Sequence, residues 1–199
     1  MTKFIFDLDG TVTSQETLPL ISEYFGISKD IKKLTKETIQ GNIPFVESFI
    51  RRVNILGKLP VDEISNLLEK TLLYPKIIDF INKNKDKCAI ATGNLDCWID
   101  KLSKKVGCIC HSSSAEVKNN RVTKITQILK KESIVEHYKN LGEKVVFIGD
   151  GNNDMEAMRI ADISIACGLT HRPAPSILTI TNYLVFEEES LCRQLNQLL

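Results

Sequence analysis

The sequence predicts an α/β protein: a doubly wound, Rossmann-like parallel sheet with a small helical cap inserted after its first strand. Three observations predict it. An unbroken apolar run, Phe4-Ile5-Phe6, stands at the start and runs into Asp7, Asp9 and Gly10. From Glu16 to about Tyr74 the apolar residues recur only at helical spacing. Beyond Pro75, strand-like and helix-like segments alternate. These shifts place the α/β core at residues 1–14 and 75–199 and the cap at residues 15–74.

Phe4 to Phe6 reads as a strand buried on both faces, because no polar residue interrupts it; Gly10 then permits a sharp turn. In the cap, Leu18, Ile21 and Phe25 share a helical face, as do Ile31, Leu34 and Thr38, then Phe45, Phe49, Val53 and Leu56. Gly26, Gly41 and Gly57-Lys-Leu-Pro60 break this text into three or four helices. Ile77 to Ile81 is then expected as a helix, Cys88 to Ala91 as a strand, Leu95 to Val106 as a helix and Cys108 to His111 as a strand. Ala115 to Ile125 alternates around Asn119-Asn120, the signature of a hairpin. A helix from about Gln127 to Asn140 precedes the buried strand Val145 to Ile148. Met155 to Ile160 is a helix, Ile163 to Ala166 and Tyr183 to Phe186 are strands, and Glu188 to Leu198 closes the chain as a helix.

Composition sets outer bounds. Of 199 residues, 43% are apolar and 26% charged, as in a globular chain with one substantial core. A net charge of +1 gives no electrostatic case for nucleic acid or an anionic membrane. No apolar run approaches the length of a membrane span, and the first strand begins almost at Met1, leaving no room for a signal peptide. The expected location is the cytoplasm. The six cysteines form no Cys-x-x-Cys pair and no Cys/His zinc spacing, so they read as reduced and structural.

Chemistry concentrates at the carboxyl ends of the buried strands, where open α/β sheets place their ligands. Asp7 and Asp9 follow the first strand, and Gly149-Asp150-Gly-Asn-Asn-Asp154 follows the strand Val145 to Ile148. Each cluster alone is compatible with a solvated turn. Together they bring four carboxylates to one edge of the sheet, where their repulsion is tolerable if a cation sits among them; all-oxygen ligation beside a substrate points to Mg²⁺. Thr92-Gly93-Asn94 follows another strand, with a hydroxyl and backbone N–H groups suited to a phosphate oxygen or, equally, to capping the next helix. Lys130 and Lys131 lie on the helix that enters the Val145 strand.

Asp7-Leu-Asp9-Gly-Thr11, Thr92, a lysine and Gly-Asp150-Gly-Asn-Asn-Asp154, in this order, resemble the motifs of the haloacid dehalogenase-like superfamily. The resemblance implies an aspartyl-phosphate mechanism, with Asp7 as nucleophile and Asp9 as general acid and then base. It implies that Thr92 and Lys131 hold the phosphate. Asp7, the main-chain carbonyl of Asp9 and Asp150 would bind Mg²⁺, with Asp154 supporting the metal. The position of the insertion is similar to the cap of the phosphoserine phosphatases in that superfamily. That likeness assigns Glu16 to a substrate ammonium, Arg52 to its carboxylate, Phe45 to an apolar wall, and Gly93 and Asn153 to the phosphoryl group.

Local alternatives stand beside these roles. Thr13-x-x-Glu16 is also a capping box, and Arg52 follows a Glu47–Arg51 pair at i,i+4 spacing. Asn94 departs from the family's second glycine and puts a side chain at the pocket's edge. The expected substrate is therefore a small phosphorylated metabolite, phosphoserine first, with a sugar, nucleotide or cofactor-precursor ester as the alternative. A phosphotransferase would share the Asp7 half-reaction. A non-catalytic binding protein would lack Asp7, Asp9 or Asp150, all of which are present.

Overall fold

Strand β1 (Thr2–Phe6) lies at the centre of a seven-stranded sheet of order β4-β3-β2-β1-β5-β6-β7. Its neighbours are β2 (Cys88–Leu95) and β5 (Lys144–Gly149), both parallel to it, with Phe6 opposite Ile90 on one side and Ile148 on the other. Further out, β3 (Ile109–Lys118), β6 (Ile163–Cys167) and β7 (Tyr183–Val185) are also parallel; β4 (Arg121–Gln127) alone runs antiparallel, as the return arm of a hairpin. This computed structural model describes residues 1–39 and 42–199, and the side chains of 35, 36, 38, 39 and 45 lie outside the description.

The period of two along each strand explains the double winding. Phe4, Phe6, Ile90, Val146 and Ile148 bury against one helical layer, and Ile5, Ala89, Ala91, Val145 and Phe147 against the other. On the first face lie α5 (Pro75–Lys83), α6 (Asp96–Val106) and α10 (Glu188–Gln197). On the second lie α7 (Lys131–Asn140), α8 (Met155–Ile160) and the short α9 (Pro175–Leu178). Phe80 stands edge-on to Phe4 at 5.3 Å between ring centroids, an arrangement that aromatic quadrupoles favour.

Between β1 and α5 the described residues form four helices: α1 (Thr17–Tyr24), α2 (Ser28–Ile39), α3 (Phe45–Leu56) and α4 (Val61–Glu69). Helix α4 packs on α6, and the hairpin braces the turn before it. Val122 donates its N–H to the Gly57 carbonyl at 3.0 Å, and Val61 donates to the Asn120 carbonyl at 3.0 Å. Asn119 and Asn120 both adopt positive φ (49° and 60°), the left-handed geometry of a two-residue hairpin turn.

Several boundaries differ from the sequence expectation. Residues 109–118 form one continuous strand rather than a strand and a separate hairpin arm, because the sheet edge extends beyond the core. Gln127 ends β4, and helix α7 begins only at Lys131. Strand β2 continues through Thr92 to Leu95 with a register shift between those two residues, so the Thr-Gly segment is a bulged strand end, not a turn. Helix α9 has too few residues to show a period. All six cysteines are free, and burial pushes the Cys88, Cys110 and Cys167 thiols up to about 12, which leaves them unreactive. Among the described residues, no helix is long and apolar enough to cross a membrane.

Candidate active site

The connection from β1 runs out to β2 on one side, while β5 joins it on the other; the chain's winding reverses at β1. A crevice opens at such a switch point, outside the carboxyl ends of the strands. Asp7 follows β1, Thr92 lies near the end of β2, and Asp150 follows β5, so three separate stretches of sequence reach one place.

Lys131 organises the floor. It is the first residue of α7, only 3% exposed, and its Nζ lies 2.6 Å from Asp7 Oδ1 and 2.6 Å from Asp154 Oδ1. Burial alone would lower its pKa; the carboxylates of Asp154 and Asp7 outweigh that and raise it, so the ammonium stays charged. Asp154 is fully buried and uses its other oxygen to accept the N–H groups of Asp150 (3.0 Å) and Gly151 (2.9 Å), which fixes the loop around the 3-10 turn Asn152–Asp154. Gly149 makes this possible: a Cβ there would stand 2.5 Å from the Asp154 carboxylate.

The Asp7 Oδ1 atom also accepts the Leu8 N–H at 2.7 Å. Among the described residues, Oδ2 has no hydrogen bond. Burial raises the Asp7 pKa well above the ordinary carboxylate value, with Asp154, Asp150 and Asp9 adding to it and Lys131 opposing. Burial likewise raises Asp150, whose Oδ1 accepts the Thr11 hydroxyl at 2.8 Å and whose Oδ2 lies 2.9 Å from His171 Nε2. Asp9 is pushed up to about 6 by burial and then by Glu16, against the hydrogen bonds from Thr17. A carboxyl whose folded pKa exceeds its unfolded value withdraws stability as pH rises from the lower value through the higher. For Asp9 that window runs from 3.8 to about 6. Three carboxyls raised by burial beside one crevice mark the cluster as a functional-site candidate.

Oxygens of Asp7, Asp150 and Asp154 lie within 4.8 Å of one another. Hard oxygen donors of net negative charge fit Mg²⁺. Asp154 is fully buried beneath the cavity and held by Lys131 and two N–H groups, which fits a supporting place; Asp7 and Asp150, which line the cavity, fit the ligating ones.

Above the floor is a cavity of about 250 Å³. Asp7, Asp9, Glu16, Arg52, Thr92, Gly93, Asp150 and Asn153 all line it, so most residues singled out in the sequence share one wall. Thr92 is 1% exposed and accepts the Asn94 N–H at 3.2 Å. Half-buried Arg52 donates from Nη2 to Ser48 Oγ at 2.9 Å. Burial lowers the Arg52 pKa and Glu16 opposes this, but a guanidinium remains charged at neutral pH. Lys130, by contrast, is only the N-cap position of α7. Phe45 opens α3, but its side chain lies outside the described residues; the apolar wall that is described consists of Phe49 and Leu18.

Thr13 forms no capping box with Glu16. Its hydroxyl donates within its own loop, to the Leu8 and Gln15 carbonyls, and Glu16 is itself the N-cap of α1. The α1 terminus is held instead by Asp9, whose Oδ1 accepts the Thr17 N–H at 2.9 Å. Glu16 Oε1 meets His171 Nε2 at 2.9 Å. His171 went unforeseen in the sequence, although it lies in the loop after β6, another strand whose carboxyl end faces the crevice. Its contacts with Asp150 and Glu16 push its pKa up to about 11. Gly10, at φ +73°, admits this crowding: a Cβ there would stand 2.9 Å from Glu16 Oε1 and 3.2 Å from His171 Nε2.

A family model described as haloacid dehalogenase-like hydrolase matches residues 2–162. With that match added to the sheet and its acidic edge, the chain belongs to the haloacid dehalogenase-like hydrolases. Within them it is similar to phosphoserine phosphatases. That of Methanocaldococcus jannaschii is 26% identical over 175 residues, covering 81% of this chain and 83% of its own. That of Saccharomyces cerevisiae is 28% identical over 207 residues, covering 90% and 67%. A solved substrate-bound phosphoserine phosphatase complex shares the fold with a TM-score of 0.81 at 22% identity, over 98% of both chains.

Proposed function

We propose that this protein is a Mg²⁺-dependent phosphomonoester hydrolase that works through an aspartyl-phosphate on Asp7. Its substrate is a small phosphorylated metabolite bearing a carboxylate, with phosphoserine the leading candidate. The observation that carries the reading is the meeting of Asp7, Lys131 and Asp154 beneath a cavity that Arg52 also lines. The names of the curated relatives support the same substrate.

In this mechanism Asp7 Oδ2 forms a bond to phosphorus as the ester P–O bond breaks, and Asp9 gives its proton to the departing oxygen. A water oxygen then attacks the same phosphorus and passes its proton to Asp9, and the Asp7 carboxylate is released with inorganic phosphate. A pKa near 6 suits Asp9 to both transfers. Lys131 holds Asp7 Oδ1, so the other oxygen faces the substrate, while Thr92, Gly93 and Asn153 hold phosphoryl oxygens. Asp7, the main-chain carbonyl of Asp9 and Asp150 would hold Mg²⁺, whose charge would offset repulsion between the nucleophile and the phosphoryl group. Residues 15–74 act as the cap that supplies Glu16 and Arg52 and excludes water.

Two measurements test this reading. Arg52→Ala removes a fork suited to two charge-assisted hydrogen bonds with a carboxylate. It should lower kcat/KM for phosphoserine, relative to that for p-nitrophenyl phosphate, by roughly two to three orders of magnitude. Equal losses on both would remove the amino-acid substrate and leave a phosphatase with another leaving group. Mg²⁺ at about 100 times its Kd should add about 2.7 kcal/mol of stability, which raises Tm by roughly 5–10 °C in a chain of this size. An unchanged melt, with full activity in excess chelator, would exclude the metal.

A further inference from the structure

Asn94 has no part in the mechanism above, yet it touches the proposed acid. It is 5% exposed, and its Nδ2 lies 2.6 Å from Asp9 Oδ2 and 2.8 Å from Thr17 Oγ1. One amide nitrogen thus spends both of its hydrogens, one on Asp9 and one on the first turn of α1. The opposite amide orientation would set a carbonyl against the Asp9 carboxylate, so the electrostatics fix the assignment. The Thr17 N–H holds the other Asp9 oxygen, and the carboxylate plane is gripped from both ends.

The other half of the amide is informative. Asn94 Oδ1 is buried and, among the described residues, has no hydrogen-bond partner. A buried acceptor left unsatisfied opposes folding. Both donors of this cavity-lining amide are thus committed to the proposed acid and to the start of α1. The bulge between Thr92 and Leu95 is what aims it, by breaking the register of β2 at this point.

We infer that Asn94 is a positioning residue that holds Asp9 in line for proton transfer and ties that alignment to the start of α1. Proton donation is needed only when the leaving oxygen is basic. An alkyl phosphate must receive the Asp9 proton on its bridging oxygen as the P–O bond breaks, whereas p-nitrophenolate departs without one. Asn94→Gly, which restores the family's second glycine, should therefore impair alkyl esters. It rests on Asp9 being the acid.

The test compares glycerol phosphate with p-nitrophenyl phosphate, neither of which has a carboxylate for Arg52. The quantity is the ratio of their kcat/KM values, which reports the steps up to departure of the leaving group. Asn94→Ala should lower the alkyl-to-nitrophenyl ratio by about 10- to 100-fold, as expected for a displaced catalytic group. Asn94→Gly should match it if the alanine protein melts early. Asp9→Ala is the control and should lower the ratio further. If Asp9→Ala leaves the ratio unchanged, Asp9 is not the acid and the mechanism above fails. If Asp9→Ala lowers it and neither Asn94 variant does, the positioning role is overturned while the mechanism stands.

Discussion

Asp7→Asn is expected to remove turnover, with kcat reduced by about three orders of magnitude or more, in a protein that still folds. The amide has the shape of the carboxylate and can keep the Leu8 N–H bond that now ends on Oδ1. It is, however, a poor nucleophile toward phosphorus. The fold should tolerate the change because the wild-type carboxylate is itself under strain: burial and then the neighbouring acids hold its pKa well above normal. Lys131 loses one anionic partner but keeps Asp154 at 2.6 Å. A thermal melt near that of the wild type, no phosphoprotein after rapid mixing with labelled substrate, and no phosphate release would together agree with nucleophilic catalysis at Asp7. Hydrolysis near the wild-type rate would end the aspartyl-phosphate mechanism.

What could be read from the sequence, and what could not, divides along a physical line. Phe4-Ile5-Phe6 and Val145 to Ile148 were legible because strands buried on both faces need uninterrupted apolar runs, and an acid directly after such a run must emerge at the sheet's edge. Helical periodicity similarly exposed α1, α2 and α3, while α4 was covered only by the expectation of three or four helices. The contacts within the site were less visible. His171 reaches Glu16 across 155 positions and Asn94 reaches Asp9 across 85, separations that no local pattern encodes. Thr13-x-x-Glu16 misled for a related reason. A capping box is a local preference, and here Thr13 bonds within its own loop while His171, from a distant loop, claims Glu16. Phe49 could have been found, since it lies three residues before Arg52 and so on the same helical face.

Lys131→Met carries the second large effect, on stability and rate together. Methionine approximates the length of lysine without its charge, so Asp7 and Asp154 would face each other across an apolar side chain. Removing one member of a buried ion pair costs about 3–5 kcal/mol, because the remaining charge is left without compensation. At roughly 2–4 °C per kcal/mol for a chain of this size, Tm should fall by about 6–20 °C. Part of that loss should return with Mg²⁺, and more than the wild type gains, since a cluster stripped of its ammonium attracts a divalent cation more strongly. Rate should fall by about two to three orders of magnitude, the scale for losing a fixed charge at a developing anion. Unlike the Arg52 effect, this loss should be the same for phosphoserine and p-nitrophenyl phosphate, because the lysine holds Asp7, the proposed nucleophile for both. Assays run well below the variant's melting temperature separate the two consequences. A folded Lys131→Met protein retaining more than about a tenth of wild-type activity, or one impaired only on phosphoserine, would place Lys131 outside the phosphoryl machinery and leave it as a buried structural cation.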